Sequence, residues 1–289
     1  MFAALKKLAN RLAPVGDTDF PVFIVKGQAR FARSTGPSRE RVFVVSLPKS
    51  GTYLIAEILG LLGLANTGVH MSESGFSDYR PIAIAHDNSD DSLPPHQFPL
   101  HKAIRLMMPG QFAVGHLGYS DYVIDCLSEF RVLVSKRELR GALVSHMRFF
   151  MHPRRGAKHG SAWKAIDNDT KRMEVFMGLW AQELIAWYRS ISPWTRDRSG
   201  LTVRFEDLLG SNGEEAQLQL LRAIAEKAGL DATDTRLLQA VGLAKAAKTL
   251  TKSETASTVG QFWSTECERI FLDAGGGKLN EYLGYPAPL

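Results

Sequence analysis

Short runs of β-forming residues alternate along the chain with longer stretches in which apolar residues recur every three or four positions. The β-forming runs lie at 42–45, 132–135 and 201–209, and a further short strand ends within 114–119. The helical spacing predicts helices over about 54–62, 121–127, 138–150, 169–189, 214–227 and 235–247, and a last one containing Phe262, Trp263 and Phe271. Strands that alternate with helices predict the α/β class, a parallel β-sheet flanked by helices.

Three stretches depart from this alternation. Residues 66–99 are polar and lack clear periodicity, so we expect an irregular segment that forms part of a ligand-site wall. Residues 20–33 contain two β-rich runs that predict an edge hairpin. Residues 1–13 carry apolar residues at helical spacing opposite three basic ones, which fits a helix packed on the domain or one lying on an anionic membrane. We therefore predict an N-terminal amphipathic segment, 1–19, and a single domain, 20–289.

Composition and charge restrict the class of ligand. The chain has 289 residues, of which 45% are apolar and 22% charged, with a net charge of +5. This basic balance suits an anionic ligand, although it also suits nucleic acid or a membrane surface. Finger-type cysteine spacing and basic helix runs are absent from the sequence, so we predict no nucleic-acid partner. The two cysteines lie far apart, and no apolar stretch approaches the ~20 residues that span a bilayer. A cytoplasmic location follows, with peripheral contact at the inner membrane face left open.

The most informative stretch is a strand, turn and helix at residues 41–64. Its turn reads PKSGT, and the strand before it and helix after it aim backbone N–H groups at one point, which is an anion cradle. Lys49 adds a full charge, Ser50 and Thr52 add hydroxyl donors, and Gly51 permits close approach. The P-loop of nucleotide triphosphatases instead places glycine before lysine and a hydroxyl directly after it. The residue order here therefore differs from that of the P-loop.

A strand followed by PKSGT resembles the 5′-phosphosulfate loop of sulfotransferases that use 3′-phosphoadenosine 5′-phosphosulfate (PAPS). A second strand-turn-helix carries Arg137 and, eight residues later, Ser145, and this spacing resembles the 3′-phosphate site of the same family. His116 lies in GHLGYS between the two motifs, where the family has its catalytic histidine. The sequence from Val203 reads VRFEDLL and resembles the family's Tyr-Glu-Asp-Leu segment, and the ending LNEYLGY resembles bacterial members.

The resemblance implies a P-loop-kinase-like sulfotransferase fold and transfer of a sulfuryl group from PAPS to a hydroxyl or amine, with PAPS as co-substrate and no metal. His116 would be the general base and Lys49 would stabilise the leaving phosphate; His70 is the second choice for the base. The implied acceptor is a carbohydrate, a glycolipid or another small metabolite. The implied cofactor-binding residues are Lys49, Ser50, Gly51, Thr52, Tyr53, Arg137, Ser145, Lys252 and Ser253.

Several positions depart from the family pattern. Phe205 replaces a tyrosine, Gly118 replaces a proline after the histidine, and Leu54 stands where a tryptophan often stacks on adenine. The Arg-Lys-Gly of the 3′-phosphate lid is absent, and Lys252 with Ser253, or Ser257 with Thr258, would replace it. Two other functions remain open at this point. One is a P-loop ATP-dependent kinase or NTPase, and the other is a non-catalytic membrane-peripheral binding protein.

Overall fold

Six strands form one sheet in the computed structural model, which describes residues 36–73, 75–78, 99–151, 162–246 and 259–285. The strand order is β3-β2-β4-β1-β5-β6. All neighbouring strands are parallel except β2 and β3, which pair antiparallel. The strands are β1 (Val42–Ser46), β2 (Ala65–Ser72), β3 (Gly75–Asp78), β4 (Gln111–Gly115), β5 (Arg131–Lys136) and β6 (Gly200–Arg204). Three sequence predictions fall outside the described residues. They are the hairpin at 20–33, the helix at 1–13, and the site residues Lys252 and Ser253.

Helices cover both faces of the sheet, which explains why β1 is apolar at successive positions. Phe43 and Val45 belong to a core cluster under α4, α5 and α10, whereas Val42 and Val44 belong to a second cluster under α1, α7 and α8. Because side chains alternate between faces, a strand covered on both sides must be apolar throughout. The helices are α1 (Thr52–Leu62), α2 (Leu100–Ala103), α3 (Asp121–Leu127), α4 (Leu139–Met151), α5 (Asp169–Ile191), α6 (Phe205–Leu208), α7 (Glu214–Lys227), α8 (Asp234–Ala246), α9 (Val259–Phe262), α10 (Thr265–Asp273) and α11 (Gly276–Tyr282).

The predicted sheet flanked by helices is confirmed, but two sequence predictions were wrong in detail. Residues 66–99 were expected to be irregular, yet β2 and β3 cover 66–72 and 75–78, while 79–98 lie outside the described residues. Pairing with β4 satisfies the polar backbone of β2 despite a register irregularity between Asn66 and His70. The last predicted helix, containing Phe262, Trp263 and Phe271, is two helices, since α9 ends at Phe262 and Ser264 caps α10. Within the described part of the chain, no helix combines the length and apolarity needed to cross a bilayer.

Candidate functional site

The carboxyl ends of three neighbouring parallel strands bring the predicted site residues together. β1 lies between β4 and β5 in the sheet, with Ser46 opposite Ser135 and Val45 opposite Gly115. The loop after β1 carries Lys49, β4 leads directly to His116, and β5 leads to Arg137. Crevices outside the carboxyl ends of parallel strands are the usual ligand sites of open α/β sheets. The three residues therefore lie together at the carboxyl end of the central strands.

The loop between β1 and α1 has the backbone conformation of an anion cradle. Lys49 has φ 65° and Gly51 has φ 96°, so the chain turns sharply before α1 begins at Thr52. A Cβ at Gly51 would lie 2.5 Å from Cδ2 of Phe205, so the ring of Phe205 closes one side of the loop. The first N–H groups of a helix have no partner within the helix and carry its positive dipole end. The start of α1 can therefore hold an anion.

Ser50 contributes to this loop in a different way from the one expected. Its side chain is fully buried, and its hydroxyl donates to the carbonyl of Leu47 at 2.6 Å. The Ser135 hydroxyl, at the end of β5, donates to the Ser50 carbonyl at 2.6 Å. These bonds fasten the loop to the end of β5. The hydroxyl of Ser50 is therefore engaged inside the protein, and its predicted contact with a ligand stays a prediction.

Arg137 lies against the same loop. Its Nη1 is 3.4 Å from the carbonyl oxygen of Lys49, and its guanidinium carbon lies 4.4 Å from the ring centre of Phe205. The side chain is 8% exposed, and burial lowers the pKa of Arg137 from its ordinary value. The ammonium of Lys49 lies 4.5 Å from the ring centre of Phe149. Each of the two cations, one from each sequence motif, thus lies on an aromatic face, and Arg137 contacts the backbone of Lys49.

The C-terminal residues hold the turn that presents Arg137. Asn280 accepts a hydrogen bond from the Leu139 N–H at 3.0 Å, and Lys136 donates to the Leu283 carbonyl at 2.7 Å. Glu206 accepts from the Tyr285 hydroxyl at 2.7 Å and from the Glu138 N–H at 3.1 Å. The ending LNEYLGY therefore stabilises the turn between β5 and α4 through these hydrogen bonds.

His116 is held in one orientation by contacts on three sides. Its Nδ1 donates to the Ser46 carbonyl at 2.8 Å, and its ring centre lies 4.6 Å from that of His70 and 5.4 Å from that of Trp187. Because a carbonyl can only accept, the proton lies on Nδ1 and the lone pair on Nε2. The pKa of His116 is lowered to about 4, mainly by burial and also by the nearby charge of Lys49, against the opposing effect of the Ser46 carbonyl. The imidazole is neutral at pH 7.

The remaining predicted residues are placed as follows. Thr52 is the first residue of α1, and its hydroxyl lies 2.7 Å from the Ser46 hydroxyl. Tyr53 is 47% exposed in the first turn of α1, and Ser145 is buried within α4. Contacts therefore join the loop of Lys49, Ser50 and Gly51 to Arg137, and join Thr52 through Ser46 to His116. Across the described ranges, no three His, Cys, Asp or Glu side chains form a set that could hold a metal ion.

Sequence reasoning missed three contributors to this site. Ser46 was not predicted as a site residue, although it contacts both Thr52 and His116. Phe205 was noted only as a replacement for tyrosine, although it contacts Gly51 and Arg137. Trp187 was assigned to an amphipathic helix, although it lies beside His116 and is 38% exposed. The available signals were a hydroxyl directly before the anion loop and an aromatic residue directly after β6.

Comparison with known proteins extends the description of the fold. No protein-family model and no curated protein sequence matches the chain. Among solved structures, the mouse sulfotransferase SULT7A1 complexed with PAP matches with a TM-score of 0.51 at 13% identity, over 86% of this chain and 90% of that one. Retinol dehydratase in a complex with retinol and PAP matches with a TM-score of 0.46 at 14% identity, over 86% of this chain and 81% of that one. The single α/β domain of this chain has a sulfotransferase-like fold.

Proposed function

We propose that this protein is a sulfotransferase that moves a sulfuryl group from PAPS to a hydroxyl or amine of an acceptor. The observation that carries this proposal is the contact between the two cation-bearing motifs, in which the guanidinium of Arg137 lies 3.4 Å from the carbonyl of Lys49. A neutral histidine, His116, directly follows the neighbouring strand β4. The mouse sulfotransferase of similar fold was solved with PAP, which is 3′-phosphoadenosine 5′-phosphate, the product left after the transfer.

The residues of the site fit a nucleotide that carries phosphates at two positions. The first N–H groups of α1 and the ammonium of Lys49 would hold the 5′-phosphate, and φ 96° at Gly51 supports this cradle. The guanidinium of Arg137 would hold the 3′-phosphate through its fork of N–H donors, with Ser145 one or two turns along α4. A nucleotide lacking the 3′-phosphate would not make this contact with the guanidinium of Arg137.

The chain supplies a base and a charge for the transfer. When PAPS is bound, the acceptor oxygen forms a bond to sulfur while the bond from sulfur to the bridging oxygen breaks and leaves its electron pair on the phosphate. His116 takes the acceptor proton at Nε2, because its Nδ1 is committed to the Ser46 carbonyl. Lys49 stabilises the negative charge that develops on the phosphate, which contributes most in the transition state.

Aromatic surfaces next to His116 support an acceptor that presents a ring. Trp187 is 38% exposed beside the base, His70 adjoins it from β2, and Phe149 adjoins Lys49. Faces of this kind pack against the apolar side of a sugar or of another flat ring while a hydroxyl reaches the base. We therefore propose a carbohydrate, a glycolipid or another small ring-bearing metabolite as the acceptor.

The experiment that tests the function is nucleotide binding without metal, followed by an acceptor screen. PAP should raise the melting temperature without Mg²⁺, and ATP with Mg²⁺ should raise it much less. Arg137→Ala should lose the PAP effect, whereas Arg198→Ala, which removes an exposed arginine before β6, should keep it. Stabilisation by ATP·Mg²⁺ alone would favour the kinase or NTPase alternative, and no response to either nucleotide would refute both enzymes. PAPS labelled with radioactive sulfur then identifies the acceptor.

A further inference from the structure

A chain of three side chains connects the start of α1 to His116. The Thr52 hydroxyl lies 2.7 Å from the Ser46 hydroxyl, and the Ser46 hydroxyl lies 3.1 Å from Nδ1 of His116. Ser46 is fully buried and Thr52 is 5% exposed, so water does not compete freely for these groups. The anion cradle and the neutral imidazole are therefore joined through buried polar atoms rather than separated by apolar packing.

The Ser46 hydroxyl has two acceptors within reach. It lies 2.7 Å from the Thr52 oxygen and 3.3 Å from the carbonyl oxygen of Gly115, but it has only one proton to give. When Thr52 donates to Ser46, the Ser46 proton must turn to Gly115. When Thr52 donates elsewhere, Ser46 can donate to Thr52 and still accept from Nδ1 of His116. The geometry thus permits two proton arrangements, which differ in where the Thr52 proton points.

An anion at the start of α1 would select between these arrangements. A phosphate oxygen accepts and cannot donate when ionised, so it draws the Thr52 proton toward itself. The hydrogen bonds then run in one direction, from Nδ1–H of His116 to Ser46, from Ser46 to Thr52, and from Thr52 to the phosphate. Hydrogen bonds in such a chain polarise one another, which strengthens the bond that His116 donates.

We propose that Ser46 is a positioning residue whose hydroxyl transmits occupancy of the phosphate loop from Thr52 to the imidazole of His116. The effect is to make His116 a better proton acceptor at Nε2 when the nucleotide is in place. This inference rests on the proposed function, since it takes a nucleotide phosphate as the anion. The Ser46 carbonyl, which also accepts from Nδ1 at 2.8 Å, keeps the tautomer fixed in both arrangements.

Other groups around His116 can respond to the same anion. Lys49 acts on the imidazole through its charge, and His70 from β2 and Trp187 from α5 contact its ring. His146 from α4 lies beside Trp187, with ring centres 6.2 Å apart. A phosphate would also offset the charge of Lys49 directly, through space. The test must therefore separate this direct effect from the part carried by the hydroxyls.

The test follows the imidazole of His116 by nitrogen-15 NMR of the full chain at pH 7, with and without PAP. Signals are assigned by their loss in His116→Gln. In the wild type, PAP should move the Nδ1–H proton signal downfield. Ser46→Ala should still bind PAP but lose half or more of that movement. The part that remains is the through-space effect of the phosphate. Thr52→Val should behave in the same way, and its matched control Thr52→Ser, which keeps the hydroxyl, should restore the wild-type response.

Two results would overturn the proposal. An undiminished downfield shift in Ser46→Ala with PAP bound would mean that the phosphate acts on His116 through space alone. An equal shift in Thr52→Val and Thr52→Ser would lead to the same conclusion, and this pair decides the matter if Ser46→Ala does not fold. Absence of PAP binding in the wild-type chain would instead refute the proposed function itself, and is read from the melting temperature in the same samples.

Discussion

Replacing Gly51 by alanine should damage the phosphate loop through two separate effects. The residue has φ 96°, a conformation that an L side chain rarely adopts. A Cβ there would lie 2.5 Å from Cδ2 and 3.0 Å from Cε2 of Phe205. That ring cannot easily retreat, because it is 7% exposed and carries the guanidinium of Arg137 at 4.4 Å from its centre. The loop must therefore move, or the Phe205 ring must displace Arg137.

The two effects can be given magnitudes. A left-handed conformation costs a non-glycine residue about 1–2 kcal/mol, and overpacking in a filled site costs about 1–3 kcal/mol. We therefore expect Gly51→Ala to lower the free energy of unfolding by about 2–5 kcal/mol, unless the loop relaxes by giving up its conformation. In that case stability is partly kept, but the N–H groups no longer converge and the affinity for PAP falls. Either route changes a measurable quantity.

Gly60→Ala is the matched control for this substitution. Gly60 lies in the same helix, α1, and a Cβ there would meet no atom within 4 Å. Alanine in an ordinary helical position should raise the free energy of unfolding by about 0.5–1 kcal/mol. Urea denaturation gives the stabilities, and calorimetric titration gives the affinity for PAP. If Gly51→Ala matched the wild type in both measurements, the reasoning about the Phe205 contact and the loop conformation would be refuted.

Three other substitutions test separate parts of the site. Lys49→Ala should lower turnover by roughly 10²–10³-fold with the acceptor found in the screen, and a smaller loss would exclude charge stabilisation by this residue. Arg137→Lys, which keeps the charge but loses the donor fork, should weaken PAP more than ATP in calorimetry, and equal weakening would move the 3′-phosphate elsewhere. Since the pKa of His116 is about 4 when folded and 6.5 when unfolded, the unfolded chain binds more protons between these values. As pH falls from 7 to 4, His116→Gln should therefore lose less stability in urea denaturation than the wild type, by up to about 3 kcal/mol, and parallel losses would contradict the pKa.

Much of the fold follows from sequence because its strands are covered on both faces. The apolar runs that became β1 and β5 have no other plausible environment, and the helices α5 and α7 repeat their apolar positions over several turns. β2 was missed because its sequence, ANTGVHMS, lacks both alternation and an apolar run. Its strand conformation depends on the backbone partners that β4 offers, and these are distant in sequence.

The candidate site could be predicted only in part from the sequence, for a related reason. The PKSGT turn and Arg137 are local signals, since each lies where a β-forming run ends. Their contact depends on β1 and β5 being neighbours, which no local pattern encodes. The contact of Ser46 with His116 spans 70 residues, and the contact of Lys136 with Leu283 spans 147. Roles that arise from such contacts cannot be read from spacing, and the assigned roles of the nine nucleotide-site residues remain predictions.

Both cations of the site, Lys49 and Arg137, lie on aromatic faces. Lys49 lies on the face of Phe149, and Arg137 lies on the face of Phe205. An aromatic face attracts a cation by about 0.5–2 kcal/mol, less than a desolvated carboxylate would, and it carries no formal negative charge. An arriving phosphate therefore does not have to displace an anion at these two contacts.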